Sequence, residues 1–323
     1  MSKTKQITST PERIFPAFNT SIIKVTGENI TIQPKYPNED IPPVVIGVST
    51  GVLNEYEGDI SKIMKRLFRN TTQAIETEGV SAYRDFNLRA DAEIINIGYY
   101  VALNAVRQFG EQFPQGPYIA STLPIIKYAG YPLSIAITGK PTDSDDKTFI
   151  PVTLSLDGKK LSITEPHFVI DVPDGAQSIG IDGTSQHADI VQGCIGDQPF
   201  YIRWINTQGG YDYYMFNARK QYETERADTV NIQRADVTDE NDTQASASFS
   251  IERRVTTGMD NLPADAYAKL LGVIKAPRIE WWNEQNSRWV ALVTDNVSNT
   301  WDTNSGLGSI EVTFIFPRTL LQQ

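Results

Sequence analysis

The chain has 323 residues, 40% of them hydrophobic and 21% charged, with a formal net charge of −10. That length predicts about two domains, and the apolar share is enough to bury ordinary cores. The acidic balance argues against a general nucleic-acid binder, which needs clustered Lys and Arg for phosphate, and against docking on anionic lipid.

A single cysteine, Cys194, excludes an internal disulfide framework and a cysteine-based zinc site, and its expected place is a small buried apolar position. The first residues, MSKTKQITSTPERIFPAF, are basic but lack the apolar stretch of a signal peptide. No apolar run approaches the roughly 18 residues of a membrane-spanning helix. The expectation is a protein made and folded in the cytosol.

Taken in order, Asn19–Pro34 reads as two strands joined by a turn at TGEN, and Ile41–Gly51 as a further strand opened by Pro42-Pro43. At GDISKIMKRLFRN the period changes. Asp59 is the expected N-cap, and Ile60, Ile63, Met64, Leu67 and Phe68 share one helix face. Lys65, Arg66 and Arg69 then fall where they suit the helix dipole. Ala92–Glu111 mixes both periods, with its β-branched and aromatic start favouring a strand to about Val101. Tyr131–Gly139 reads as a strand with Leu133, Ile135 and Ile137 on one face. PVTLSLDGKKLSI is a hairpin turning at Asp157-Gly158, where a type I′ turn fits. His167–Gly183 reads as strand, turn, strand.

The next stretch, PFYIRWINTQGGYDYYMF, packs large rings into two strands on either side of NTQGG. Gly209 and Gly210 supply the conformational freedom of a tight turn, and aromatic cross-strand pairs stabilise such a hairpin. Trp204, Asn206, Gly209, Gly210, Tyr211 and Asp212 are therefore assigned as a structural hairpin, with Asn206 and Asp212 hydrogen-bonding the turn's backbone. Lys220–Ser248 is polar and reads as either an extended edge segment or an insertion loop. Phe249–Gly258 is a strand. A helix near 263–275 follows, capped by Asp260 or Asn261, with Pro263 in its first turn and Pro277 as its stop. Its apolar stripe is Leu262, Ala266, Tyr267, Leu270, Leu271 and Ile274. RIEWWNEQNSRWVALVTDNVS is a hairpin with NEQNS at its tip, and SIEVTFIFPR is the closing strand. Trp281 and Trp282 point to opposite faces, so a one-sided sheet buries only one of them. Trp281, Trp282 and Trp289 are the candidate interface residues.

The expected fold is mainly β: two β-sandwich or barrel-like domains, each with one short amphipathic helix. The divisions are an N-terminal arm at 1–18, a β-rich domain at 19–190 and a second β-rich domain at 191–323.

Catalytic signatures are absent from the sequence. The two histidines, His167 and His187, lie in no triad or metal-ligand spacing and read as structural. No nucleophile elbow, phosphate loop, zincin or dinucleotide fingerprint occurs. DVTDENDT, Asp236–Thr243, is acidic but lacks the Gly and Glu of a calcium loop. The reading is a non-enzyme without metal or cofactor.

The blocks YYVALNAVRQFGE, IIKYAGYPLSIAITG, HFVIDVPDGAQSI and PFYIRWINTQGGYDYYMF resemble a tail-associated protein family of Bacteroides-type phages and prophages, from about Val44 onward. The family's signature is W-[IL]-N-x-x-G-G-x-D followed by an aromatic strand, here Trp204, Ile205, Asn206, Gly209, Gly210 and Asp212. The resemblance implies a virion structural protein of the tail or baseplate, similar by analogy to a distal tail protein, assembled in the host cytoplasm. Its implied partners are its own copies in a ring and other tail proteins, with Lys220–Ser248 and Met1–Phe18 as arms that order on assembly. The alternative is an adsorption module that binds host-surface glycan through its many tryptophans.

Overall fold

The computed structural model describes residues 6–9, 14–26, 30–35, 44–47, 55–62, 83–90, 95–103, 105, 107, 114, 116–139, 151–164, 167–217, 219–233, 243–316 and 319–321. The chain is mainly β, in sandwich-like and half-barrel-like sheets. Contacts divide it into two units. The first comprises Met1–Cys194, Trp204–Tyr213 and Lys275–Pro277, and the second Ile195–Arg203, Tyr214–Ile274 and Arg278–Gln323.

In the first unit the strands are β1 (Gln6–Ser9), β2 (Ile14–Pro16), β3 (Ile22–Thr26), β4 (Ile30–Lys35), β5 (Val44–Gly47), β6 (Glu55–Asp59), β7 (Tyr83–Ala90) and β8 (Ile95–Leu103). They continue as β9 (Tyr118–Ile119), β10 (Ile125–Tyr128), β11 (Ser134–Thr138), β12 (Val152–Leu156), β13 (Lys159–Ile163), β14 (His167–Asp171), β15 (Ser178–Ile181) and β16 (His187–Gly193). The sheet orders are β1-β3-β6, β2-β8-β7-β4-β5, β10-β16-β15-β12-β13 and β14-β11-β9.

Local turn chemistry explains the tightest connections. Asp157 and Gly158 both have positive φ, 49° and 78°, as a type I′ turn requires, and β12 and β13 pair from Val152↔Ile163 to Leu156↔Lys159. Asp59 accepts the Ser61 N–H at 3.0 Å and the Ser61 hydroxyl at 2.8 Å, the expected capping role, and Ser61 and Lys62 are helical. The remainder of that expected helix, Ile63–Arg69, lies outside the described residues. Asp59 also accepts the Ser21 N–H at 3.0 Å, tying the cap to the β3 side of its sheet.

Several sequence-based pairings differ. β3 and β4 are both strands, but they join different sheets instead of one hairpin. The same is true of β14 and β15. The segment assigned as an N-terminal arm also enters sheets: Gln6–Ser9 pairs with β3, and Ile14–Pro16 runs parallel to β8. β11 is buried along its whole length, where one apolar face was expected, and it is the central strand between β14 and β9. The core beside it gathers Leu103, Ala105, Tyr118, Ala120, Ala136 and Val169.

The second unit is built on one sheet of order β18-β17-β21-β22-β23-β20-β19, with β24 also on β20. The strands of this sheet are β17 (Phe200–Ile205) and β18 (Tyr211–Phe216), of which Trp204–Ile205 and Tyr211–Tyr213 count with the first unit, β19 (Arg219–Gln233), β20 (Thr243–Pro263), β21 (Ile279–Asn283), β22 (Arg288–Asp302), β23 (Leu307–Ile315) and β24 (Thr319–Leu321). Two short helices, α1 (Ala264–Leu270) and α2 (Gly272–Lys275), follow β20.

The expected cap at Asp260 or Asn261 is not one. β20 keeps pairing with β23 as far as Pro263↔Leu307, so both residues lie in a strand, at an irregularity between Met259 and Leu262. Asn261 takes φ 59° there, as a bulge residue can, and Pro263 is the N-cap without a side-chain hydrogen bond. Strand and helix thus meet with no loop between them. Of the expected stripe, Leu262 and Leu270 are buried, whereas Ile274 is exposed.

Of Lys220–Ser248, the described residues, 220–233 and 243–248, are strand. Arg219–Gln233 and Thr243–Pro263 form an antiparallel ribbon whose register runs from Arg219↔Thr257 to Gln233↔Thr243. Its 15 residue rungs make it roughly 50 Å long at about 3.4 Å per residue. The acidic DVTDENDT segment lies outside the described residues up to Thr243.

Candidate functional site

The hairpin of β17 and β18 has a tip and a base. The tip, Trp204–Tyr213, belongs to the first unit, and the flanking residues belong to the second.

At the tip, every hydrogen-bonding position of the Asn206 side chain is used. Its Oδ1 accepts the N–H groups of Gln208 at 2.9 Å and Gly210 at 3.0 Å. Its Nδ2 donates to the Ala120 carbonyl and to Asp212 Oδ1, both at 3.0 Å. The Asn206 N–H donates to the Gly210 carbonyl at 2.9 Å, closing the turn. Asp212 also accepts the Thr122 N–H at 2.9 Å and the Thr122 hydroxyl. Tyr118, from β9, donates its hydroxyl to the Gln208 carbonyl at 3.0 Å.

The glycines are fitted to this contact. Gly209 has φ +87°, and a side chain on Gly210 would place its Cβ 2.3 Å from the Ala120 carbonyl oxygen. Tyr211 and Tyr213 are buried, with ring centroids 6.5 Å apart, and the Tyr213 hydroxyl accepts the Ser134 N–H at 3.3 Å. Trp204 is among the largest fully buried side chains. A buried side chain whose hydrogen-bonding positions are all used, as those of Asn206 are, rigidifies a unique local structure.

Two titratable groups are held in unusual states. Burial pushes the Asp212 carboxyl up, against the opposing hydrogen bonds from Thr122 and Asn206. The contribution of Asp212 to stability is therefore greatest at low pH and is lost as pH rises through its folded value. His167 opens β14, opposite Thr138 in register, and is fully buried against the Gly209 backbone. Burial pushes its imidazole down from 6.5 to about 4. Between those values the unfolded chain binds a proton that the folded chain refuses, so this group destabilises the fold as pH falls from 6.5 to 4. The expected loss is about 3 kcal/mol. Urea unfolding of the wild type and His167→Gln across that range checks it: the variant should show a shallower slope by that amount, and parallel slopes would refute the assignment.

At the base, β17 is buried on both faces. On one, Phe200 stacks on Trp281 at 6.2 Å and 17°, and meets Phe314 at 5.8 Å and Phe316 at 6.5 Å. On the other, Tyr201 lies 5.6 Å from Trp289, and the Arg203 guanidinium sits 4.3 Å over the same indole. Arg203 Nε donates to Glu280 Oε2 at 2.7 Å, with both side chains almost fully buried. Arg278 covers the other carboxylate oxygen of Glu280 at 2.6 Å.

This placement changes the reading of the tryptophans. Trp281 and Trp282 do alternate, but both are half-buried, because both faces of the sheet are covered at this point. Trp282 is directly opposite Trp289 and 5.3 Å from it. Trp281, Trp282 and Trp289 thus each have aromatic neighbours within the second unit. Trp301, one of the tryptophans of the glycan alternative, is the exposed one, at 38%, with Tyr267 5.4 Å away and the Tyr267 hydroxyl donating to Asn299 at 3.0 Å.

Elsewhere the chemistry is sparse. Among the described residues no group of three His, Cys, Asp or Glu side chains is arranged to hold a metal ion. Among the same residues no helix is long and apolar enough to cross a membrane. An open polar groove of about 310 Å³ in the first unit is lined by Ser155, Asp182, Thr184 and His187, but Asp182 pairs with Lys160 at 2.7 Å. His187 opens β16. Cys194 is exposed, contrary to the buried place expected for it, since the segment after β16 leaves the sheet.

The residues that sequence reasoning missed are the partners. Ala120, Thr122 and Tyr118 hold the tip, and Arg203 and Glu280 hold the base. Arg203 amid aromatic residues and Glu280 beside two tryptophans were the available signal, since opposite charges in two otherwise apolar strands call for each other. No known family model matches the chain, and no curated protein matches it.

Proposed function

We propose that the protein is a virion structural component of a phage tail or baseplate, built into a ring through contacts with its own copies and with other tail proteins. The observation that carries this reading is the ribbon of β19 and β20. From Asp228↔Ser248 to Gln233↔Thr243, β20 pairs with β19 alone among the described strands, because β24 reaches only Phe249–Ile251 and β23 only Arg254–Pro263. A two-stranded ribbon is marginal in water on its own, and three or more strands or a packed face are needed to stabilise it. Such an arm gains its missing partner when subunits assemble. The aromatic hairpin supports the same reading, since its rings and polar groups are engaged in cohesion.

The expected result is that antibody against the chain labels tails of purified particles at one axial position. Particles that carry no copy of the chain would refute the proposal.

The second reading, a host-glycan adsorption module, is favoured by the exposed Trp301 beside Tyr267. Sugar rings stack on such faces. A glycan array in which binding is abolished by Trp301→Ala would support it over the first.

A further inference from the structure

Trp301 is the one exposed tryptophan of five, and the residues around it hold it in place. In register it stands opposite Gly308 of β23, and Leu262 of β20 stands opposite Gly308 from the other side. Glycine leaves a notch in that row, and the Tyr267 ring of α1 fills it. A Cβ on Gly308 would lie 2.4 Å from Tyr267 Cδ2 and 2.6 Å from its Cγ, so the ring rests on bare backbone. The ring meets the Trp301 indole at 5.4 Å with a tilt of 39°, and its hydroxyl donates to Asn299 Oδ1 at 3.0 Å. Asn299 precedes Trp301 by two positions on β22, so both side chains leave the same face of the strand. With Oδ1 fixed by Tyr267, the Asn299 amide keeps its two Nδ2 protons for a ligand.

The far side of this stretch is open. β21 pairs with β22 only from Arg288 to Leu292, so from Val293 onward β22 has β23 as its one neighbour among the described strands. Asn296–Gly306 reads NVSNTWDTNSG, one large ring among short hydroxyl and amide side chains, with Asp302 as the one charge. The positions three and four away from Tyr267 along the chain, Pro263, Ala264, Leu270 and Leu271, carry no charge either.

We infer that Trp301, Tyr267 and Asn299 form a subsite for a neutral pyranose. The C–H face of the sugar lies on the indole, and its equatorial hydroxyls reach Asn299 Nδ2 and the Tyr267 hydroxyl oxygen. A sugar ring carries an apolar face and a rim of donors and acceptors together, which is the combination this patch answers. The apolar anchor of a partner protein suits it less, because it would strip water from the amide and the hydroxyl and return no hydrogen bond. Asp302, and the lack of any Lys or Arg at the positions named, turn away uronic and sialic acids, whose carboxylates call for a cation. The other tryptophans offer no such face: Trp204 is buried, and Trp281, Trp282 and Trp289 are engaged with neighbouring rings. The inference deepens the adsorption reading and rests on it, adding where the glycan sits and which class of sugar it carries.

The test applies the full-length chain to an array of neutral glucosides, galactosides, mannosides and N-acetylhexosaminides beside sialosides and uronosides. The expected result is binding to neutral glycans that falls by about tenfold in Trp301→Ala and is largely kept in Trp301→Phe. Asn299→Ala should weaken the same binding by about fivefold, the worth of one hydrogen bond. Circular dichroism melts accompany each variant, and Asn299→Ala carries the test if Trp301→Ala melts below the wild type. Neutral-glycan binding that survives both alanine variants overturns the subsite and leaves the adsorption reading standing. Binding confined to sialosides or uronosides does the same. If no glycan on the array is bound, both fall.

Discussion

Replacing Glu280 with Leu is expected to destabilise the second unit by about 3–5 kcal/mol, the usual cost of leaving one member of a buried ion pair uncompensated. Arg203 is the reason. Its guanidinium is buried over Trp289, and Glu280 is the carboxylate that neutralises it at 2.7 Å. Arg278 would remain close by and add a second positive charge at 30% side-chain exposure, without a counter-ion from Glu280. The double variant Arg203→Met/Glu280→Leu should recover most of the loss, because apolar residues of similar volume replace a buried pair at little net cost. Urea denaturation of the three proteins gives the coupling directly. Equal losses in the single and double variants would mean that the pair does not act as a unit.

The second large effect is at Gly210. A valine there is expected to cost about 3 kcal/mol or more, at the upper end for overpacked sites. The nearest obstacle is backbone: the Ala120 carbonyl oxygen would lie 2.3 Å from the new Cβ, and that same oxygen accepts from Asn206 Nδ2. The β-carbons of Ala120 and Ala136, at 3.1 and 3.2 Å, close off the other directions. The variant should appear as insoluble or partly unfolded protein, read by soluble yield and by the urea midpoint. A variant that folds with a normal midpoint and loses only a binding activity would contradict the structural assignment of the hairpin.

These two sites show what the sequence discloses and what it withholds. Turns are local, so their chemistry is visible in the chain. Asp157-Gly158 and NTQGG announce hairpins because positive φ and side-chain-to-backbone hydrogen bonds are properties of a few consecutive residues. The role of Asn206 as a turn former was legible for the same reason, whereas Asp212, expected to bond the turn's backbone, accepts from Asn206 Nδ2 and from Thr122 instead. Their outside partners, Ala120 and Thr122, were not, since they come from a segment 86 and 90 residues away. Strand existence was mostly readable from alternation. Sheet membership was not: β3 and β4, or β14 and β15, are adjacent in sequence and separate in pairing. Alternation also says which residues share a face but not what covers that face. Trp281 and Trp282 therefore led to an expectation of one buried and one free ring, where both are half-covered. Asp260 and Asn261 show a further ambiguity. The residue types that cap helices also tolerate the positive φ of a bulge, and only the pairing of β20 with β23 decides between the two.

The hairpin and the ribbon play complementary parts. The first uses large rings, the hydrogen bonds of Asn206 and Asp212 and a buried ion pair for cohesion. The second extends two strands whose outer rungs, from Asp228↔Ser248 to Gln233↔Thr243, meet no further strand among the described residues.

The most direct measurement is electron cryo-microscopy of the full-length protein at concentrations where it assembles. The account predicts closed rings in which density for the 219–233 and 243–263 ribbon lies against a neighbouring copy. A monodisperse monomer at every concentration, or rings whose copies touch elsewhere while the ribbons stand free, would contradict it.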